Sequence, residues 1–231
     1  MALYDQAVHF DGDLYRNVVS LRVSRNLADD LSDDPADAAL FAQAEIASKP
    51  RLPLPAINRP FEAGYGQAVL YPFVRGHWFA TRFSDGGHPA WYGSLDLETT
   101  VHETVHHFRR RLIDDIGAQA HARPISGERR VYRVAADALL VDLRGKLDEQ
   151  PALVDRNSYA VCQGIGRDLQ QRGHPGLLTR SARCAGDNAV LFDRRYLSDV
   201  RDHCYLRYRY DPASAIVEVE RTPGQVWLRL S

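Results

Sequence analysis

The sequence predicts an α+β fold, and three observations predict it. Helical and strand-like segments are interspersed without the strict βαβ order of a doubly wound parallel sheet. One segment, from about Asp96 to Ile116, carries a helical stripe: Leu97, Val101, Val105, Phe108 and Leu112 recur at three- and four-residue steps. The C-terminal stretches HCYLRYRY, AIVEVER and QVWLRL read as a β-rich finish.

Taken in order, Leu14 to Ser24 (LYRNVVSLRVS) reads equally as a strand or a short helix. In DDLSDDPADAALFAQAEIAS, Asp34 suits an N-cap and Pro35 the first helical position, so a helix is expected from about Pro35 to Ser48. KPRLPLPAINRPFE holds too many prolines for a helix interior or a central strand. It is read as an extended connection in which Ala56 to Phe61 could form an edge strand. Beyond it the chain is β-like, and Asp85-Gly86-Gly87 predicts a tight turn flanked by Trp78–Phe83 and Ala90–Tyr92. After the helix over 96–116, RRVYRVAADALLVDL alternates like a strand. NSYAVCQGIGRDLQQRG reads as a helix closed by Gly173, with a His174-Pro175-Gly176 turn behind it. LLTRSA and NAVLFD follow as short strands. Residues 1–54 are an N-terminal extension with a helix, and 55–231 one compact unit.

The 231 residues carry Lys+Arg 29 against Asp+Glu 30, a net charge of -1. That balance argues against direct nucleic-acid or membrane-surface partners. HHFRRRL, GERRVYRV and LRYRY are local basic clusters, read as solvated faces and strand edges. Cys162, Cys184 and Cys204 are odd in number and widely spaced, with no CxxC pair. Neither a disulfide framework nor a cysteine zinc site is implied, and a reducing, cytoplasmic compartment fits. The N-terminus lacks the pattern of a signal peptide, and no apolar stretch approaches a membrane span.

Within the helix, His102-Glu103-Thr104-Val105-His106 spells H-E-x-x-H, the zinc-peptidase signature. The two histidines share a flank of the apolar stripe, and Glu103 lies nearly opposite that stripe. A catalytic zinc needs a third protein ligand. The metzincin extension requires Gly at position 109 and His at 112, where this chain has Arg109 and Leu112. A zinc-dependent hydrolase built on His102, Glu103 and His106 is therefore the alternative reading, and no metal is expected.

Two further stretches carry a different signal. TRFSDGGHPAWYGSLDLETTVHE holds Arg82-Phe83-Ser84-Asp85, Trp91-Tyr92-Gly93 and Glu98-Thr99-Thr100-Val101-His102-Glu103. GHPGLLTRSARCAGDNAVLF holds Gly173, Gly176, Ser181, Arg183, Asn188 and Phe192. In this order, over residues 55 to 200, they resemble the RES-domain family, the toxin half of a bacterial toxin–antitoxin type. Departures are Thr179-Arg180 in place of Tyr-Pro before Ser181, and Thr100 in place of Ala. The family's first arginine is placed at Arg59, with Arg16 as its rival. The resemblance implies an ADP-ribosyltransferase-like fold, a split twisted sheet around an NAD-binding cleft, with flanking helices. It also implies consumption of NAD+, the ADP-ribose passing to phosphate, water or a protein, and a helix-turn-helix antitoxin as partner.

NAD+ chemistry suits these residue types. A planar arginine clamps a pyrophosphate through two hydrogen bonds, a role open to Arg82 and Arg59. An aromatic plate stacks on nicotinamide, a role open to Tyr92. A fixed carboxylate stabilises the oxocarbenium-like ribose that forms as the C1–N bond breaks, a role open to Glu103. Ser181 can hydrogen-bond ribose or phosphate, and Arg183 and Asn188 stand close enough in sequence to help an incoming acceptor. On this reading Glu103, Arg82 and Ser181 are catalytic, Arg59, Arg82, Tyr92, Ser181, Arg183 and Asn188 bind the dinucleotide, and the two histidines are incidental.

Overall fold

The computed structural model describes residues 3–20, 66–116 and 123–231. The helix expected over 35–48, the edge strand expected over 56–61 and Arg59 lie outside these residues.

Of the segment that reads equally as strand or helix, residues 14–19 lie in a strand, β1 (Ala7–Val19), and 21–24 lie outside the described residues. Short helical turns over 66–77 lead to β2 (Ala80–Thr81), β3 (Ser84–Asp85) and β4 (Trp91–Ser94). Helix α1 spans Leu97–Ile116, and the long strand β5 runs over Ile125–Asp142. Helix α2 (Ala160–Gln171) is followed by β6 (Gly176–Arg180), β7 (Asp187–Leu191), β8 (Leu197–Asp211), β9 (Ile216–Thr222) and β10 (Gln225–Leu230). The fold is α+β, as the interspersed pattern predicts.

Eight strands form one sheet in the order β1-β4-β7-β6-β5-β8-β9-β10, and β1 also pairs with β5. The extra pairing closes β1, β4, β7, β6 and β5 into a ring. Leu14, Trp91, Ala189, Leu178 and Ala136, one from each ring strand, are buried in a shared cluster that fills it. From β5, the strands β8, β9 and β10 extend as an antiparallel wing. The apolar stripe of α1 behaves as its periodicity demands. Val101, Val105 and Leu112 pack on Leu206, Tyr208 and Val217 of the wing. Each such burial is worth about 1.5–3 kcal/mol. Helix α2 sets Cys162, Ile165 and Leu169 against Leu177 and Val190 on the ring's outer side.

One turn falls elsewhere than predicted. Thr81 pairs with Ser84, so the hairpin tip is Arg82-Phe83. Asp85-Gly86-Gly87 is a separate bend in which Gly86 takes φ +93°, and its flanks do not pair with each other. The strand beyond the bend joins β1 and β7 instead. Gly166, the last glycine of GIG, lies so close to the Phe83 carbonyl that no side chain fits there. That glycine therefore serves the packing of α2 on the hairpin.

Candidate active site

Helix α1 is held at two points that fix Glu103. At its start, Asp96 Oδ1 accepts from Thr99 N at 2.7 Å, a side-chain N-cap. In the next turns, the Thr104 hydroxyl lies 2.8 Å from the Tyr208 hydroxyl, and Asn17 Nδ2 donates to both, at 3.0 and 2.8 Å. Arg129 Nε closes this network on Asn17 Oδ1 at 3.2 Å. Thr104 thus points into the sheet, and its neighbour Glu103 turns toward β7 and the loop after β6.

There the Ser181 hydroxyl donates to Glu103 Oε1 at 2.7 Å, and Asn188 Nδ2 donates to the same oxygen at 2.8 Å. Ser94 Oγ donates to Asn188 Oδ1 at 2.7 Å. Ser94 and Asn188 are register partners across β4 and β7, which places both side chains on the α1 face. Ser181 is buried, and its hydroxyl also accepts from the backbone of Arg183 at 3.0 Å and Cys184 at 3.2 Å. Glu103 faces these polar partners and is half-buried.

The hairpin tip supplies the next group. Arg82 Nη1 donates to the Asp155 carbonyl at 2.7 Å, and its guanidinium lies 4.4 Å from the centre of the Tyr159 ring. Arg183 reaches the same tyrosine from the other loop, with Nη2 at 3.4 Å from its hydroxyl and 3.1 Å from the Arg156 carbonyl. Tyr92 holds the tip from below: its hydroxyl accepts from Phe83 N at 2.8 Å and meets Thr81 Oγ1 at 2.8 Å. Burial pushes the Tyr92 phenol up to about 12. Arg16 Nη1 donates to the Tyr92 carbonyl at 2.8 Å, while its Nε is buried with no partner among the described residues. Burial, and then the nearby Arg129, lower the Arg16 guanidinium to about 10.

Among the described residues, Arg16, Arg82 and Arg183 form no ion pair, although most surface arginines around the sheet do, as in Arg130–Asp202 and Arg144–Asp142. The structure therefore brings together Glu103, Ser181, Asn188 and Arg183, and links Arg82 to Arg183 through Tyr159. Tyr92 underlies Arg82, and Arg16 lies beside Tyr92. Ser94, Tyr159 and the Asp155 carbonyl were not read from the sequence. Tyr159 carried only the signal of an aromatic side chain near the start of the expected helix. His102 lies 3.8 Å from Glu98 Oε1, and His106 is edge-on to His107 with ring centres 5.4 Å apart. Burial, followed by Arg183, lowers the His106 imidazole to about 4. Among the described residues, no group of three His, Cys, Asp or Glu is placed to hold a metal ion.

Arginines outside ion pairs can bind an anion, and a held carboxylate can stabilise a positive centre. The chain belongs to the RES domain family, whose model matches residues 56–211. No curated protein matches it. Among solved structures, it is similar to a chain of the M. tuberculosis MbcT-MbcA toxin-antitoxin complex, at 12% identity and a TM-score of 0.47. That similarity covers 90% of this chain and 89% of the other. No helix among the described residues is long and apolar enough to cross a membrane.

Proposed function

We propose that this RES-domain chain is the toxin of a toxin–antitoxin pair and consumes NAD+. The observation that carries the reading is the Glu103 carboxylate, held by two donors on one oxygen, with Arg183 and, through Tyr159, Arg82 nearby and forming no ion pair among the described residues. A dinucleotide needs that combination, because its pyrophosphate is anionic and its ribose becomes cationic as nicotinamide leaves.

In the proposed reaction the C1–N bond breaks and its electron pair departs with nicotinamide, which leaves neutral. Glu103 stabilises the ribosyl cation. Arg82 and Arg183, tied together by Tyr159, face the pyrophosphate, and a first arginine, Arg59 or Arg16, completes the clamp. Arg16 has the local support of the Tyr92 carbonyl. The ring of Tyr92 packs beside the nicotinamide, since its hydroxyl is already engaged in the hairpin. The acceptor takes the ADP-ribose at C1, and inorganic phosphate is the acceptor we favour over water or a protein side chain. No metal is required, and the fold is read as ADP-ribosyltransferase-like. A helix-turn-helix antitoxin is the expected partner and the cytoplasm the expected location.

The deciding measurement is nicotinamide release from NAD+ by the purified chain, with and without phosphate, in a strong chelator. Release is expected to persist under chelation, to rise with phosphate and to vanish in Glu103→Gln. An inactive wild-type chain would overturn the reading. Loss of activity only under chelation would move the chemistry to a metal at His102 and His106.

A further inference from the structure

We propose that Ser181 and Asn188 act on Glu103 instead of on the ligand, that Ser94 sets Asn188 for this task, and that Oε2 is the working oxygen of Glu103. The proposal rests on the reading of Glu103 as the carboxylate that meets the ribosyl cation.

The first support is a count of hydrogen-bonding capacity. A serine hydroxyl has one donor and two acceptor sites. Ser181 spends its donor on Glu103 Oε1 and fills both acceptor sites with the backbone N–H groups of Arg183 and Cys184. The backbone of Ser181 is pinned too, its N–H donating to the Gly186 carbonyl at 2.8 Å. Nothing on this hydroxyl is left for a ribose or a phosphate.

The second support is the sense of the Asn188 amide. Its two ends differ only in being acceptor or donor, so a neighbour must choose between them. Glu103 makes that choice, because a carboxylate only accepts and so takes the NH2 end. Ser94 then holds the other end, its hydroxyl donating to Oδ1 and fixing where the amide sits. Ser94 is itself 3% exposed and held in the β4–β7 register, so it has little freedom to point elsewhere. Without it, Oδ1 loses its donor and the amide is held from one end only.

Both donors end on Oε1, and none from a described side chain reaches Oε2. A carboxylate with one oxygen saturated in this way has a defined free edge. That edge is available to the ribose hydroxyl or the cationic C1 centre, with no reorganisation when charge develops. Ser94, Asn188 and Ser181 are accordingly positioning residues.

The test compares kcat and KM for NAD+ in Ser94→Ala, Ser94→Thr, Asn188→Ala, Asn188→Asp and Ser181→Ala. Loss of positioning is expected to lower kcat by on the order of 100-fold in the Asn188 variants, with KM unchanged. Asn188→Asp should be the worse of the two, because it sets a second carboxylate against Glu103. Ser94→Ala should show a smaller loss that Ser94→Thr restores. A raised KM with kcat retained would overturn the proposal, since that is the signature of ligand contact. A thermal-unfolding double-mutant cycle between Asn188→Ala and Glu103→Ala supplies a readout apart from turnover. Non-additive effects are expected there, and additive ones would overturn the relay even if the wild-type chain proved not to act on NAD+. If Asn188→Ala does not fold, the same cycle is run with Ser94→Ala and Asn188→Asp.

Discussion

Replacing Tyr92 by Phe deletes one oxygen and should loosen the hairpin that carries Arg82. The hydroxyl makes two bonds of 2.8 Å, to Thr81 Oγ1 and from the backbone N–H of Phe83. Phe83 is 0% exposed, so its N–H has no water to turn to. A neutral hydrogen bond contributes about 1 kcal/mol net, and an orphaned buried donor costs about 1–3 kcal/mol. The expected loss is therefore about 2–4 kcal/mol. For a chain of this size each kcal/mol moves Tm by roughly 2–4 °C, so a fall on the order of 10 °C is expected. Tyr210→Phe is the control. Its hydroxyl is buried with no partner among the described residues, and its removal should be neutral or stabilising. Urea denaturation with matched m-values gives both numbers, and KM for NAD+ should rise in Tyr92→Phe alone. Equal stabilities of the two variants would refute the reasoning that the phenol fixes the tip.

Arg82→Lys loses the planar contact with Tyr159 and should raise KM for NAD+ about tenfold, read by steady-state kinetics. The half-buried His106 has a folded pKa of about 4 against an ordinary 6.5. Its contribution is therefore fully present above about pH 6.5 and is lost as pH falls toward 4, so urea midpoints at pH 7 and pH 5 should differ less in His106→Gln than in wild type. Lys146 is 1% exposed, with Asp5 at 2.8 Å and Glu149 at 3.3 Å. Asp5→Asn should lower the urea midpoint, and by more than Glu149→Gln.

Local patterns were legible where one element determines them. The α1 stripe at Val101, Val105 and Leu112 predicted a helix packed on one side, and Gly173, at φ +77°, ends α2 as its position suggested. The hairpin was misplaced because Asp85-Gly86-Gly87 is the stronger local turn signal. The true tip at Arg82-Phe83 is held by Tyr92, a tertiary contact that no turn propensity encodes. β1 stayed ambiguous for a related reason. Its strand state comes from pairing with β5 along nearly its whole length, a partner far away in sequence. At the site, motif order picked out Glu103, Ser181 and Asn188, and the structure gathers those three on one carboxylate oxygen. Ser94 escaped notice because a serine in a short strand has meaning only once its register partner is known.

The closed ring and the relay also set a timetable for synthesis. Ala7 must wait for Val141 before β1 can pair fully, and Glu103 must wait 85 residues for Asn188. At about 5–20 residues per second, ribosomes leave Glu103 without that donor for roughly 4–17 s. Pairings so distant are slow to nucleate as well. For the toxin proposed above, a nascent chain would therefore be harmless through most of its translation, and the antitoxin would need to intercept only finished molecules.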